Sequence, residues 1–220
     1  FEHDLRAIGS QEAVLSAFEK DGTLPKQDDE GGPRAAADRT PTLAIAVKLA
    51  AITSDHPAGA RLMIAYDDID AINFMDQPLK AYWKRGGATI GDALQAAEKD
   101  HRAIFERCRT FDRTLMETLT KAGGERYARM CALAHRQSIA GGKLAADAKG
   151  HPLWFPKENT SNGCIGTVDV LYPQIPHLLL LNPALAKATV EPVLAYTASS
   201  RWKFPFAPHD LGTYPAATGQ

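Results

Sequence analysis

The chain has 220 residues, of which 45% are apolar and 23% are charged, an ordinary composition for a folded globular protein. Its 25 basic and 26 acidic residues give a net charge of -1 and form no basic run, so nucleic acid is not an expected partner. The longest apolar stretches, at residues 43–52 and 175–181, are shorter than the roughly 20 residues of a membrane-spanning helix, so no membrane partner is expected.

The two chain ends and the cysteines indicate whether the chain is part of a longer polypeptide and whether disulfides or metal sites are expected. The N-terminus lacks an initiator methionine and a signal-peptide pattern, and the C-terminus stops in a glycine-containing turn, so both ends are interpreted as cut from a longer polypeptide. Cys108, Cys131 and Cys164 are odd in number and lack CxxC spacing, which argues against a disulfide framework or a thiolate zinc site. The histidines share no metal-ligand spacing, so we expect neither a metal nor another cofactor.

Residues 1–75 mix short apolar runs with turn-rich spacers, which is typical of a β-sheet domain. Alternating apolar positions predict one strand over residues 43–49 and a second over residues 62–66, with a turn-forming segment between them. We therefore expect part of a β-sandwich. Residues 11–20 are equally compatible with a short helix, because their apolar side chains fall on one helical face.

Residues 76–91 are predicted to be a linker, in which Tyr82 and Trp83 anchor the chain against a flanking domain. The apolar period then changes to 3.6 residues. Thr89 and Asp92 have the spacing of a capping box, and an apolar helical stripe follows them.

A pair of glycines, Gly123 and Gly124, ends this helix, and a second helix is predicted over residues 125–141. The short link predicts an antiparallel helical hairpin, which cannot bury both of its faces alone. Further along, Asn182 and Pro183 are a suitable cap and first residue for another helix. His177 lies in the apolar run before it and is expected to be a satisfied core residue.

Two loop segments concentrate the chemically reactive side chains. The first is K-E-N-T-S-N-G-C-I-G-T-V-D, beginning at Lys157, and the second is F-P-F-A-P-H-D-L-G-T-Y-P, ending at Pro215. Such polar side chains are costly to bury without partners, and prolines and glycines hold their backbones in defined turns. These segments therefore predict a preorganised polar pocket, formed where the two loops meet.

Several segments resemble the glutaminase A family of fungi and bacteria. They include both long loop motifs, which are very specific, and the shorter A-Y-D-D-I, Y-W-K-R, C-R-T-F-D and L-L-L-N-P segments. The resemblance covers nearly the whole chain. It implies an α+β, multi-domain piece of a longer protein, with the C-terminal part of a β-sandwich at residues 1–75, the linker at 76–91, and the first part of an (α/α)6 toroid at 92–220.

The resemblance also implies an activity and a setting. The family hydrolyses the side-chain amide of L-glutamine to glutamate and ammonia, and its toroid resembles those of several glycoside hydrolases. An extracellular or periplasmic location is implied in the same way. The expected partners are a small-molecule substrate, glutamine or a saccharide, and the remainder of the same polypeptide.

Three carboxylates are the candidate catalytic groups: Glu158, Asp169 and Asp210. Amide hydrolysis and sugar hydrolysis both need one group to activate water and another to protonate the leaving group. Alternatively, these side chains cap helices or brace loops. Attack by carboxylate-activated water is favoured over a covalent route.

Two further side chains are candidate nucleophiles, Cys164 and Ser161, since an acyl-enzyme route needs a thiolate or an alkoxide. The sequence around them resembles neither a nucleophile elbow nor a papain-type signature, and a lone cysteine between Gly163 and Ile165 is more often a small buried residue. His209 is a candidate base or amide-binding group if the backbone turns sharply enough to bring it onto Asp210.

The remaining polar side chains of the first loop are candidates for substrate binding. Lys157, Asn159 and Asn162 suit a carboxylate and a carboxamide, the two polar ends of glutamine. His209 is a fourth candidate. Three function classes therefore remain open: a glutaminase-type amidohydrolase, a glycoside hydrolase with a carboxylate pair, and a non-catalytic structural module.

Overall fold

Helices and strands alternate along the chain, which agrees with an α+β fold class. The computed structural model describes residues 6–49, 51–158 and 161–219, and the chain divides into two units, Phe1–Met63 and Ile64–Gln220. Within the described residues, no helix combines the length and apolarity needed to cross a membrane.

In its described residues, the first unit contains an antiparallel strand pair and a helix. Strand β1, Arg6–Ser10, pairs with β2, Pro41–Ile45, and helix α1, Gln11–Asp21, follows β1 directly. The Ser10 side chain accepts the backbone N–H of Ala13, which caps the helix. The short helix predicted over residues 11–20 is therefore confirmed.

The strand predicted over residues 62–66 is wrong. In the described residues 51–70 the only ladder contact is an isolated bridge between Thr53 and His56. Leu62, Ile64 and Tyr66 are exposed. Alternating apolar residues form a strand only where a partner pairs with their backbone, and β2 pairs with β1 instead.

The second unit begins with a small mixed sheet. Strand β3, Ile72–Phe74, pairs antiparallel with β4, Gln77–Leu79, and parallel with β7, Ala216–Ala217, near the other end of the unit. Strand β4 and a 3-10 turn at Tyr82–Lys84 lie inside the segment predicted as a linker. The predicted domain boundaries at residues 75 and 91 thus differ from the boundary between the two compact units, which lies after Met63. The predicted division stays a prediction.

The helical hairpin is confirmed. Helix α2, Ile90–Ala140, starts at the predicted capping box, in which Thr89 and Asp92 each bond the other's backbone N–H. Gly124 interrupts it with φ 81° and ψ 175°. The rings of Phe111 and His135 then lie 5.9 Å apart, which is possible only if the arm after Gly124 folds back on the arm before it.

A pair of strands and two helices follow the helical hairpin. Strands β5, Gly142–Ala146, and β6, Pro152–Pro156, form an antiparallel pair that the sequence analysis did not predict. Helices α3, Val168–Leu181, and α4, Pro183–Thr197, pack on each other, and α4 also packs on β6. Asn182 caps α4 through the backbone N–H of Leu185, as predicted.

One hydrophobic core joins these elements. It includes Phe155 from β6, Leu171 from α3 and Tyr196 from α4, together with two residues of the polar loops, Ile165 and Leu211. Because the loops contribute buried side chains, their backbones are positioned by the core and not only by their own turns. The sandwich and the complete toroid stay predictions.

Candidate active site

The two polar loops lie side by side. The backbone N–H of Ile165 donates to the carbonyl oxygen of Gly212 at 2.9 Å, and the N–H of Leu211 donates back to Ile165 at 2.8 Å. A third bond joins the N–H of Val168 to the carbonyl oxygen of His209 at 2.8 Å. The loops therefore meet, as predicted, and this ladder brings the carboxylates of both loops to one region, whereas the polar pocket expected between them stays a prediction.

His209 and Asp210 form a hydrogen-bonded pair although they are adjacent in sequence. The Nδ1 atom of His209 lies 2.9 Å from Oδ2 of Asp210, and the other carboxylate oxygen accepts the backbone N–H of Gly212 at 2.8 Å. The Asp210 side chain is only 1% exposed, whereas that of His209 is 65% exposed. A buried carboxylate therefore orients an accessible imidazole, the arrangement that lets histidine act as a proton carrier.

Asp169 approaches the same imidazole from the other side. It lies in the first turn of α3, where the helix dipole favours a negative charge. Its Oδ1 atom is 3.9 Å from Nε2 of His209, and its side chain is 74% exposed. This separation is too long for a direct hydrogen bond but suits a bridging water.

The pKa of His209 is raised above its ordinary value. The hydrogen bond to Asp210 is the main cause, and the negative charges of Asp169, Asp210 and Glu158 add to it, while desolvation acts in the opposite direction. The imidazolium of His209 is therefore more stable here than that of a free histidine in water.

Glu158 is held by its own loop. Its Oε2 atom accepts the hydroxyl of Ser161 at 2.6 Å and the amide of Asn162 at 3.0 Å, and these bonds lower the pKa of the carboxyl group. The buried hydroxyl of Thr167 contributes to this lowering, although its oxygen makes no hydrogen bond of regular geometry with a described residue. Glu158 is thus an ionised, braced carboxylate.

Most of the other candidate residues of the first loop form hydrogen bonds within that loop. Asn162 uses its amide nitrogen on Glu158 and its oxygen on the backbone N–H of Cys164, at 2.7 Å. The pKa of Cys164 is raised, first by burial and then by the charges of Asp210 and Glu158, which disfavours the thiolate that a nucleophile needs. Ser161 donates to Glu158.

The last two predicted substrate-binding residues lie at the start of this loop. The Nζ atom of Lys157 is 4.3 Å from the centre of the Tyr214 ring, and Lys157 also lines a cavity of about 460 Å³. Asn159 lies outside the described residues. His209, also predicted to bind substrate, is instead the group on which the described carboxylates converge.

That cavity contains polar residues that the sequence analysis did not select. It lies between the second arm of α2, the end of β6 and the face of α3 that carries Gln174 and His177. The one available signal was a histidine, His177, within an apolar run, and it was interpreted as a satisfied core residue. No group of three or more potential metal ligands occurs among the described residues.

The chain matches two family profiles. Residues 124–220 match the glutaminase A six helical-hairpin domain, and residues 4–118 match a domain of unknown function, DUF5127. Both polar loops and the return arm of the helical hairpin therefore fall within the six helical-hairpin domain. No solved structure matches the chain significantly.

Two curated relatives are also named as glutaminases. Glutaminase A of Aspergillus oryzae is 30% identical over 212 residues, which cover 94% of this chain and 30% of that protein. A probable glutaminase of Arthroderma benhamiae is 34% identical over 99 residues, 44% of this chain and 11% of that protein. The chain thus spans less than a third of either relative, and it belongs to the glutaminase A family.

Proposed function

We propose that the protein containing this chain is an amidohydrolase that cleaves the side-chain amide of L-glutamine to glutamate and ammonia. The observation that carries the proposal is the imidazole of His209, which is oriented by the buried Asp210 and turns Nε2 toward Asp169. The names of the relatives, glutaminase A and probable glutaminase, support the choice of substrate.

The mechanism uses a water molecule held between Asp169 and His209. Asp169 accepts one hydrogen bond from this water, and neutral His209 removes a proton through Nε2 as the water oxygen bonds to the amide carbon. The resulting imidazolium is stabilised by Asp210. It then returns the proton to the amide nitrogen, so that the C–N bond breaks and ammonia leaves.

The remaining groups have supporting roles in this proposal. Asp210 acts through His209, because its carboxylate is almost fully buried. Glu158 adds negative charge that favours the imidazolium. Lys157 binds the carboxylate of the substrate, Asn159 is proposed as a further substrate-binding residue, and Asn162 holds Glu158 in place. The rest of the polypeptide completes the toroid, and we place the protein outside the cytoplasm.

The full-length protein tests this function directly. It is incubated with L-glutamine and, separately, with a panel of oligosaccharides, while ammonia and reducing ends are followed. We expect ammonia from glutamine at a rate proportional to enzyme concentration. Reducing ends without ammonia would support the glycoside hydrolase instead, and neither product would support a non-catalytic module.

Asp169→Asn is expected to shift the pH dependence of the reaction. The acidic limb of kcat/KM reports the pKa of the essential base in the free enzyme, and the Asp169 charge raises the pKa of His209. Removing that charge lowers this pKa, so the acidic limb moves to lower pH while the maximum rate falls. Asp100→Asn, an exposed change on α2, is the control.

Salt provides a second check on the same variant. Because both side chains are exposed, added salt screens the interaction and should shrink the pH difference between wild type and Asp169→Asn. An acidic limb that stays in place, or one that moves to higher pH, would rule out His209 as the base.

A further inference from the structure

The ammonium of Lys157 lies over an aromatic ring and not beside a carboxylate. Its Nζ atom is 4.3 Å from the centre of the Tyr214 ring, and both residues are half-buried. Three other lysines of the second unit each pair with an aspartate of the A-Y-D-D-I-D segment: Lys84 with Asp67, Lys143 with Asp68, and Lys80 with Asp70. Among the described residues, no carboxylate forms an ion pair with Lys157, so its charge is available to an anion.

The backbone brings Lys157 and Tyr214 together from different loops. Residues 163–165 lie between them, because Ile165 forms an isolated bridge with Lys157, and the carbonyl oxygen of Gly163 accepts the N–H of Tyr214 at 2.9 Å. The N–H of Lys157 also donates to the carbonyl oxygen of Gly141 at 3.1 Å, just after α2. The hydrogen bonds that join the two polar loops therefore also fix where the ammonium and the ring meet.

The Tyr214 side chain has a second cationic neighbour, Lys143 on β5. The ammonium of Lys143 hydrogen-bonds the carboxylate of Asp68. The pKa of Lys143 is raised, first by this bond and further by Tyr214, while burial acts in the opposite direction. The A-Y-D-D-I-D segment is thus connected to the second polar loop through one lysine and one tyrosine, and Asp68 neutralises the lysine.

The ring gives a flexible side chain one preferred position. Lysine carries its charge on a four-carbon stem, and ordering that stem when a ligand binds costs conformational entropy. A cation over an aromatic face is attracted by the ring, so the Lys157 ammonium is already confined before a substrate arrives. Since the ring covers one side of the ammonium, the N–H groups on the other side can donate to a carboxylate. Preorganisation of this kind strengthens binding.

We propose that Tyr214 is a positioning residue that holds the Lys157 ammonium in place for the α-carboxylate of the substrate, with the Asp68–Lys143 ion pair fixing the phenol ring in turn. This inference rests on the proposed function, in which Lys157 binds that carboxylate. In this role Tyr214 contacts neither the attacking water nor the amide. Its effect is therefore equal in the bound substrate and in the transition state, which changes KM and leaves kcat unchanged.

Replacing the ring in the full-length protein tests this role. Tyr214→Leu is expected to raise the KM for L-glutamine by about three- to thirtyfold, the range of a cation–π interaction. Its kcat should stay within about twofold of wild type. Tyr214→Phe keeps the ring, so its KM should stay within about twofold of wild type. If Tyr214→Leu does not fold, Tyr214→Met replaces it, because the flexible methionine side chain fills the space of the ring.

A second tyrosine provides the matched control. Arg85 lies over the ring of Tyr82 at 3.9 Å, so Tyr82→Leu removes a cation–π pair of the same kind outside the site. This variant should keep the wild-type KM. A wild-type KM in Tyr214→Leu, or a loss of kcat alone, would overturn the proposal. Equal increases of KM in Tyr214→Leu and Tyr214→Phe would assign the effect to the hydroxyl, which also overturns it.

A double-mutant cycle connects the ring to the charge of Lys157. Lys157→Met keeps the side-chain length without the ammonium and should raise the KM for L-glutamine by about tenfold or more. Because Tyr214 acts only through this charge, the double variant Lys157→Met/Tyr214→Leu should have the same KM as Lys157→Met alone. Increases that add up would show that the two residues act independently, and the proposal would be wrong.

A ligand without the α-carboxylate separates recognition of charge from general damage to the site. 4-Aminobutanamide is glutamine with that carboxylate replaced by hydrogen, and its inhibition constant is measured in competition with L-glutamine. This constant should be the same in wild type and in Tyr214→Leu. If it rises together with the KM for L-glutamine, the substitution has distorted the site, and the positioning role is contradicted.

The outcomes distinguish this inference from the proposed function. Absence of ammonia release by the wild-type protein would contradict the function, and the inference would fall with it. Ammonia release with an unchanged KM in Lys157→Met would contradict carboxylate binding by Lys157 while leaving the His209 mechanism intact. A KM raised in Lys157→Met but not in Tyr214→Leu would contradict only the role of Tyr214.

Discussion

His209→Gln is expected to lower the kcat of glutamine hydrolysis by about 100- to 10,000-fold, the usual contribution of a general acid–base group. The glutamine side chain introduced at position 209 is still polar and lies near Asp210, but it cannot transfer a proton from water to the leaving nitrogen. Because the His209 side chain is 65% exposed, the substitution should leave folding intact. The measurement is kcat and KM for ammonia release by the full-length variant, with circular dichroism to check the fold.

The chain contains a matched control for this substitution. His151 also hydrogen-bonds an aspartate through Nδ1, at 3.1 Å from Oδ2 of Asp147, in the turn between β5 and β6. Its side chain is likewise 65% exposed. His151→Gln should therefore keep wild-type activity. A His209→Gln enzyme with at least half of the wild-type kcat would remove the imidazole from the mechanism.

Gly212→Ala is expected to lower the free energy of unfolding by about 2–4 kcal/mol, from backbone strain and a steric clash together. Gly212 has φ +121°, which L side chains rarely adopt, and an added Cβ would lie 2.5 Å from the backbone oxygen of Ala216. Its N–H also holds Asp210, so catalysis should fall with stability. Equilibrium urea unfolding and the ammonia assay measure the two effects.

Gly150→Ala is a control that introduces backbone strain, as Gly212→Ala does, but no steric clash. Gly150 also has a positive φ, +82°, but an added Cβ there has open space around it. This control should cost about 1 kcal/mol, the penalty for a left-handed conformation alone, and should keep activity. Equal losses in the two variants would mean that the backbone near Ala216 relaxes, and the steric argument would fail.

Local signals in the sequence were sufficient for the start and the break of α2 and for the start of α4, whereas α3 was not predicted. The capping box at Thr89, the break at Gly124 and the cap and proline at Asn182 and Pro183 all act within a few residues. Their energetics depend on backbone groups close in sequence, so a pattern of residue types predicts them. The family was likewise recognisable from the two loop motifs.

Strand pairing was less predictable. The alternation at residues 62–66 suggested a strand that is absent, and the hairpin of β5 and β6 was missed. Strand β3 pairs in parallel with β7, more than a hundred residues away in sequence. The backbone that pairs with a strand can come from a distant part of the chain. The alternation of apolar residues in one segment therefore does not identify its partner strand.

The amino-acid sequence alone determined the family, the helical hairpin and the set of residues from which the site is made. Only the tertiary structure decided their roles: it buried Asp210 beside His209, left Asp169 exposed opposite, and tied Asn162 to Glu158. It also placed His135 and Gln174 around one cavity. The physical reason is that burial, hydrogen-bond partners and pKa shifts arise from contacts between separate segments, which the core brings together.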